Sequence, residues 1–157
     1  MSALESQTRI TPFLWFDQNA EEAVEFYLSV FKNSRRISEL RNTGDAPGPK
    51  GGVLVVSFEL DGQRFTALNG GPMFKFNESI SFVVRCDSQD EVDYYWSRLT
   101  TDGGSESQCG WLKDKFGLSW QIVPARTQQL LKTPKAMQAM MKMKKLDIAE
   151  LERASQS

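Results

Sequence analysis

Arg85 is the side chain in this sequence whose type and setting most suggest chemistry. It stands in SISFVVRC, an extended apolar run, where a guanidinium can clamp a carboxylate or phosphate through two parallel hydrogen bonds, or can pair with an aspartate or glutamate at a sheet rim. Around it the usual catalytic equipment is sparse. The 157 residues include no histidine, so a Ser-His-Asp relay is impossible, and no G-x-S-x-G elbow presents a serine. Carboxylates, lysines, tyrosines and thiols can still move protons. The acidic residues, however, fall on predicted helix faces and turns, where capping and solvation account for them, and no convergent pair is identifiable. Cys86 and Cys109 each fall in a predicted strand, without the spacing of a metal knuckle or a redox pair, and read as buried free thiols.

The elements that must position Arg85 come in two similar copies. TPFLWFDQNAEEAVEFYLSVF, residues 11–31, and SISFVVRCDSQDEVDYYWSRL, residues 79–99, share one plan: an extended hydrophobic run, a polar break, then an amphipathic helix with paired aromatics. Further strand-like segments follow each copy, so the chain reads as two β-α-β-β-β halves with a pocket expected between them. A hydrophobic content of 40% is enough for a core, and 25% charged residues keep the surface wet. Nineteen basic residues against twenty acidic ones argue against steering toward nucleic acid or an anionic membrane. No apolar run reaches the roughly 20 residues of a membrane helix, and MSALESQTRI lacks a signal peptide's apolar stretch, so the cytoplasm is the expected location.

Residues 10–16 form a continuous apolar run, as expected of a strand buried on both faces. Asp17 and Asn19 can cap the helix that follows, which sets Ala23, Phe26, Tyr27, Val30 and Phe31 on one face. Residues 34–42 read as a strand, GDAPGPKGG as a loop, 53–60 and 63–69 as a hairpin about Asp61-Gly62, and GGP as the close of the half. In the second half a strand at 79–86 leads to a helix capped by Asp87 or Ser88, with Val92, Tyr95, Trp96 and Leu99 inward and Gly103-Gly104 beyond its end. One strand over 106–113, the turn DKFG and a strand over 118–123 complete it. The tail carries a helix begun by Pro134 and bearing Met137, Met140 and Met141. A last short helix opens with the Asp147/Glu150 capping box and bears Ile148 and Leu151. Such a methionine-rich tail packs on its own domain or on a partner subunit.

WFDQNAEEAVEFYLSVF, CGWLKDKFGLSWQIVP and KAMQAMMKMKKLDIAELE, in this order along nearly the whole chain, resemble the PhnB-like branch of the vicinal oxygen chelate superfamily. That superfamily also holds the glyoxalase I, bleomycin-resistance and extradiol dioxygenase proteins. The resemblance implies an α+β fold of paired βαβββ modules, here about 8–72 and 78–125, with a C-terminal helical extension over 126–154 and a homodimer as the usual assembly. Members of the branch often carry the label 3-demethylubiquinone 3-methyltransferase.

Metal-dependent relatives hold a divalent ion with histidines and glutamates on cavity-facing strands. Laid on this chain from each helix start, the pattern falls near Pro12 and Ser81, and through D-x-x-G at Asp114 and Gly117 it falls on Gln121, whose first-half equivalent is near Asn69. These are neutral groups, which bind first-row metals weakly, and Mg or Ca would want carboxylates. No metal and no cofactor is therefore expected. A methyltransferase would need a glycine-rich turn for S-adenosylmethionine after its first strand, whereas DQNAEEA contains no glycine. By the same anchor Leu14, Phe16, Ser81, Val83 and Arg85 face the cavity, together with Ser119, Gln121 and Asn69. Gln121 either orients a ligand or satisfies neighbouring backbone. An apolar lining with a few polar groups suits a small-molecule site. Three readings stay open: a metal-free protein binding an aromatic or amphipathic metabolite; an enzyme of unassigned reaction, of which the methyltransferase label is the named version; and a purely structural dimer whose barrel is filled by its own aromatics.

Overall fold

The computed structural model describes residues 8–156. The N-terminal segment read above for a leader lies mostly outside them. No helix among the described residues is long and apolar enough to cross a membrane. The chain divides into two compact units, the first ending at Lys75 and the second beginning at Phe76.

The first unit runs β1 (Phe13–Phe16), α1 (Ala20–Val30), β2 (Arg35–Arg41), β3 (Val53–Leu60) and β4 (Gln63–Asn69). Its sheet has the order β1-β4-β3-β2, with β1 parallel to β4 and the other pairs antiparallel. The second unit repeats this as β5 (Ser81–Cys86), α2 (Gln89–Leu99), β6 (Ser105–Glu106), β7 (Trp111–Lys113) and β8 (Ser119–Pro124), in the order β5-β8-β7-β6. Each unit is thus one βαβββ module, and the chain has the α+β architecture expected of paired modules. The predicted single strand over 106–113 is instead a pair, β6 and β7, joined by a tight turn. Cys109 and Gly110 occupy that turn with φ of 60° and 86°, a conformation no strand continues through. Cys109 is therefore a turn residue.

In the first unit α1 lies on the sheet through Ala20, Ala23, Val24, Tyr27 and Val30, all buried. The Tyr27 ring stacks on Phe58 at 6.5 Å between centroids. Strand β1 is not buried on both faces: Leu14 and Phe16 are buried while Phe13 is 58% exposed, the alternation of a strand with one covered face. In the second unit Ser88 is the N-cap, its Oγ accepting from the Glu91 amide at 3.2 Å. Val92, Trp96 and Leu99 of α2 are buried, as are Leu112, Trp120 and Ile122 of the sheet. The turn between β7 and β8 is built on Asp114, which is 2% exposed. Its Oδ1 accepts from the Phe116 and Leu118 amides, and its Oδ2 from Trp120 Nε1 at 2.9 Å.

The extension holds α3 (Thr127–Leu130), α4 (Pro134–Met141) and α5 (Ile148–Ser155). Thr133 caps α4 through the Ala136 amide, and Asp147 caps α5 through the Glu150 amide. Leu130, Leu146 and Leu151 form its core, against which Val123, Met140 and Met143 pack. Gln89, at the start of α2, ties the extension to the module. Its Nε2 donates to the Leu146 carbonyl at 3.0 Å and its Oε1 accepts from the Ile148 amide at 2.8 Å.

Candidate functional site

A sheet with a helix on one side offers ligands its other side, so the site residues sort by which face each strand turns away from its helix. In the second unit the helix-covered face is identified by a hydrogen bond from Trp96 Nε1 on α2 to Glu106 Oε1 on β6, at 2.7 Å. Glu106 pairs with Leu112, and Leu112 with Trp120, so that row lies under α2. The opposite face carries Ser81, Val83 and Arg85 from β5, paired with Ser119, Gln121 and Val123 of β8. Trp111 pairs with Gln121 and Lys113 with Ser119, which extends the face across β7. All five second-half residues expected to line a cavity therefore share one face of one sheet.

The character of that face is mixed. Val83 is 58% exposed. Arg85 is exposed and makes no ion pair among the described residues, so its side chain is not spent on a rim carboxylate. Gln121 Nε2 donates to Ser81 Oγ at 2.9 Å, joining the two second-half positions of the four at which the resemblance implies metal ligands in relatives. At the far end Val123 packs into the C-terminal extension, which closes that end of the face.

The first unit differs from the expectation. Leu14 pairs with Ala67 and Phe16 with Asn69. Ala67 pairs with Val56, and Phe65 with Phe58, the residue under Tyr27. These residues all lie beneath α1. Leu14 and Phe16 are thus core, and Asn69 is a helix cap: its Oδ1 accepts from the Ala20 amide at 2.8 Å while its Nδ2 donates to the Val53 carbonyl at 2.9 Å. That bond stands where Asp17 or Asn19 was expected to cap, and the Asn19 side chain makes no capping bond. The reason is a difference of one residue in connection length. Three residues, 17–19, separate β1 from α1, whereas two, 87 and 88, separate β5 from α2. Alignment from the helix starts therefore slips β1 by one position, and a one-residue slip in a strand exchanges its faces.

Counted from the strand ends, the first-unit counterparts of Val83 and Arg85 are Phe13 and Trp15, and Thr66, paired with Phe13, is the counterpart of Gln121. None of these was singled out from the sequence. Trp15 is held in place: its Nε1 donates to the Gly71 carbonyl at 2.9 Å and its ring meets Phe74 edge-on at 4.8 Å. Gly70 is required beside it, because a Cβ there would sit 2.5 Å from the indole. Lys113, Trp111 and Ser105 were also missed in the second unit. The paired strand order that could have located them depends on the β6–β7 turn, which the residue pattern does not announce.

The donor set does not fit a first-row divalent ion. Ser81 and Gln121 are neutral and bonded to each other, Asn69 caps a helix, and the Pro12 carbonyl accepts from the Thr66 amide. No group of three or more Cys, Asp or Glu able to hold a metal occurs among the described residues. S-adenosylmethionine fits no better: each described sheet has a single parallel pair, and the β1–α1 connection is Asp17-Gln18-Asn19, where a glycine-rich phosphate turn would be needed. Cys86 lies under α2 rather than on the open face. Burial pushes its thiol up to about 12, aided by the nearby Glu91 and Asp87 carboxylates, which makes it a poor nucleophile at neutral pH.

Comparison with known proteins matches these features to a described group. A family model described as 3-demethylubiquinone-9 3-methyltransferase matches residues 8–123. A Bacillus cereus PhnB protein, a putative 3-demethylubiquinone-9 3-methyltransferase by its name, is 34% identical over 75% of this chain and all of its own, with a TM-score of 0.68. A Pseudomonas aeruginosa protein is 22% identical over 75% of this chain and 98% of its own, with a TM-score of 0.60. The Listeria monocytogenes fosfomycin resistance protein FosX shares the fold at 14% identity, over 82% of this chain and 99% of its own, with a TM-score of 0.56. No curated protein matches.

Proposed function

We propose that this chain, which belongs to the 3-demethylubiquinone-9 3-methyltransferase family in the PhnB-like branch of the vicinal oxygen chelate superfamily, binds an aromatic or amphipathic small molecule without a resident metal. The binding surface is the face of the second sheet turned away from α2, where Ser81, Val83, Arg85, Ser119 and Gln121 stand together. The observation that carries the reading is Arg85: an exposed guanidinium beside apolar Val83, with no ion pair among the described residues. An apolar surface with a few directed polar groups is what small-molecule sites present, and a guanidinium gives such a surface a preference for oxyanions. Gln121 and Ser81 support the metal-free part, since two neutral groups hydrogen-bonded to each other bind first-row metals weakly. The chain acts as a homodimer under this reading, and exposed Phe13, Met73 and Phe74 in the first unit are apolar surface of the kind a partner covers.

Metal analysis of the purified protein tests the reading first. It is followed by a thermal-shift screen with divalent ions, S-adenosylmethionine and quinone-like phenols, repeated on Arg85→Ala. Stabilisation by a phenol that weakens in the variant supports the proposal. A stoichiometric metal, or stabilisation by S-adenosylmethionine with a methylated product, overturns it in favour of an enzyme.

A further inference from the structure

We propose that the cleft beside β6, β7 and β8 takes the carboxylate of a small aryl acid, with Ser119 and Lys113 as its two donors and the Trp111 indole against its ring. This deepens, and rests on, the small-molecule reading of the same face. Ser119 is 1% exposed, and its Oγ has no hydrogen-bond partner among the described residues. Buried hydroxyls are nearly always paired, because an unpaired one has lost its water for nothing. The same residue lines a cleft of about 200 Å³ together with Lys113, Glu78, Ser105, Ser107 and Trp111. Ser119 and Lys113 are directly cross-strand, which brings their side chains within reach of a single bound group.

The surrounding bonds identify that group. In the row Ser81, Ser119, Lys113, the Ser81 oxygen accepts from Gln121 and the Lys113 ammonium pairs with Glu78, while the Ser119 hydroxyl bonds to neither neighbour. Glu106, the other acid at the cleft, is engaged by Trp96 Nε1. A hydroxyl donor and an ammonium donor therefore sit side by side, and the ammonium already holds a carboxylate. That carboxylate comes from Glu78, whose side chain is 62% exposed and whose pKa is lowered chiefly by its hydrogen bond to Lys113. A ligand carboxylate entering the cleft takes the place of Glu78 on Lys113 and gains in addition the bond from Ser119 that Glu78 leaves unmade. Two charge-assisted bonds then hold one planar group, and half-buried Trp111 presents a flat apolar surface to the ring attached to it.

The test titrates benzoate, and benzyl alcohol as its neutral counterpart, into the wild-type protein, Ser119→Ala and Glu78→Gln, followed by protein NMR. Benzoate is expected to bind about tenfold more weakly to Ser119→Ala, and severalfold more tightly to Glu78→Gln because the internal competitor is gone. Benzyl alcohol is expected to be indifferent to Glu78→Gln. Ser119→Ala should melt at or above the wild-type temperature, since it removes an unpaired hydroxyl; a clear loss of stability would mean that the hydroxyl serves the fold, and would overturn the proposal. Equal benzoate affinity in all three proteins also overturns it while leaving the small-molecule reading intact. Failure of benzoate, benzyl alcohol and the phenols alike to bind any of the three overturns both.

Discussion

Replacing Asp114 should unfasten the β7–β8 turn and loosen the strand that carries Ser119 and Gln121. Its carboxylate accepts from the Phe116 amide at 2.8 Å, the Leu118 amide at 3.1 Å and Trp120 Nε1 at 2.9 Å, and the last two bonds are buried. An N–H left buried without an acceptor costs about 1–3 kcal/mol. Two such groups place Asp114→Ala at about 4 kcal/mol of lost stability, the more exposed Phe116 amide finding water. Asp114→Asn can keep Oδ1 toward the turn but then points an amide donor at the Trp120 indole N–H. Its cost is therefore about 2 kcal/mol, one buried donor unmet. For a chain of this length 1 kcal/mol moves the melting temperature by roughly 2–4 °C, so the alanine variant should melt about 8–16 °C below wild type. Urea denaturation followed by tryptophan fluorescence gives the free energies. An alanine variant within about 1 kcal/mol of wild type, or an asparagine variant equal to wild type, would refute the account of Asp114 as the shared acceptor.

Alkylation of the native protein at about pH 8 should modify Cys109, in its turn, and spare Cys86, since burial holds that thiol protonated up to about 12; equal labelling by mass spectrometry would contradict this. The unfolded chain gives up the same proton at about 8.5, so the stability tied to the Cys86 thiol is complete below that pH and declines as pH rises toward 12, which denaturation at graded alkaline pH measures against Cys86→Ala. Gln89→Ala should cost about 2 kcal/mol by stranding the Leu146 carbonyl and the Ile148 amide, and hydrogen exchange should show residues 146–151 opening ahead of the module. Gly70→Ala places a methyl 2.5 Å from the Trp15 ring, so the indole should leave the Gly71 carbonyl, with a shifted fluorescence maximum and about 1–3 kcal/mol lost.

Much of this protein is written in short stretches of its chain. Ser88, Thr133 and Asp147 cap their helices through an amide three residues on, a distance over which residue type alone sets the outcome. The faces of α1 and α2, the Asp61-Gly62 hairpin and the duplicated plan follow from equally local periodicities. Ser81, Val83, Arg85, Ser119 and Gln121 share one face of the second sheet, an arrangement the two-residue period of each strand makes legible once the helix start fixes β5 and the Asp114-Gly117 turn fixes β8. Counting β1 from the helix start puts Leu14 and Phe16 on the open face, whereas both lie beneath α1, with Asn69 paired to Phe16 in the same row. One extra residue between β1 and α1 leaves the helix pattern untouched yet exchanges the faces of the strand. The cap on α1 comes from Asn69, 49 positions away, and the cleft at Ser119 exists because Lys113 was brought across from another strand. Strand faces and side-chain partners of this kind depend on which backbone amides pair across the sheet. That register is chosen by the burial of a whole face at once, and no window of neighbouring residues contains it.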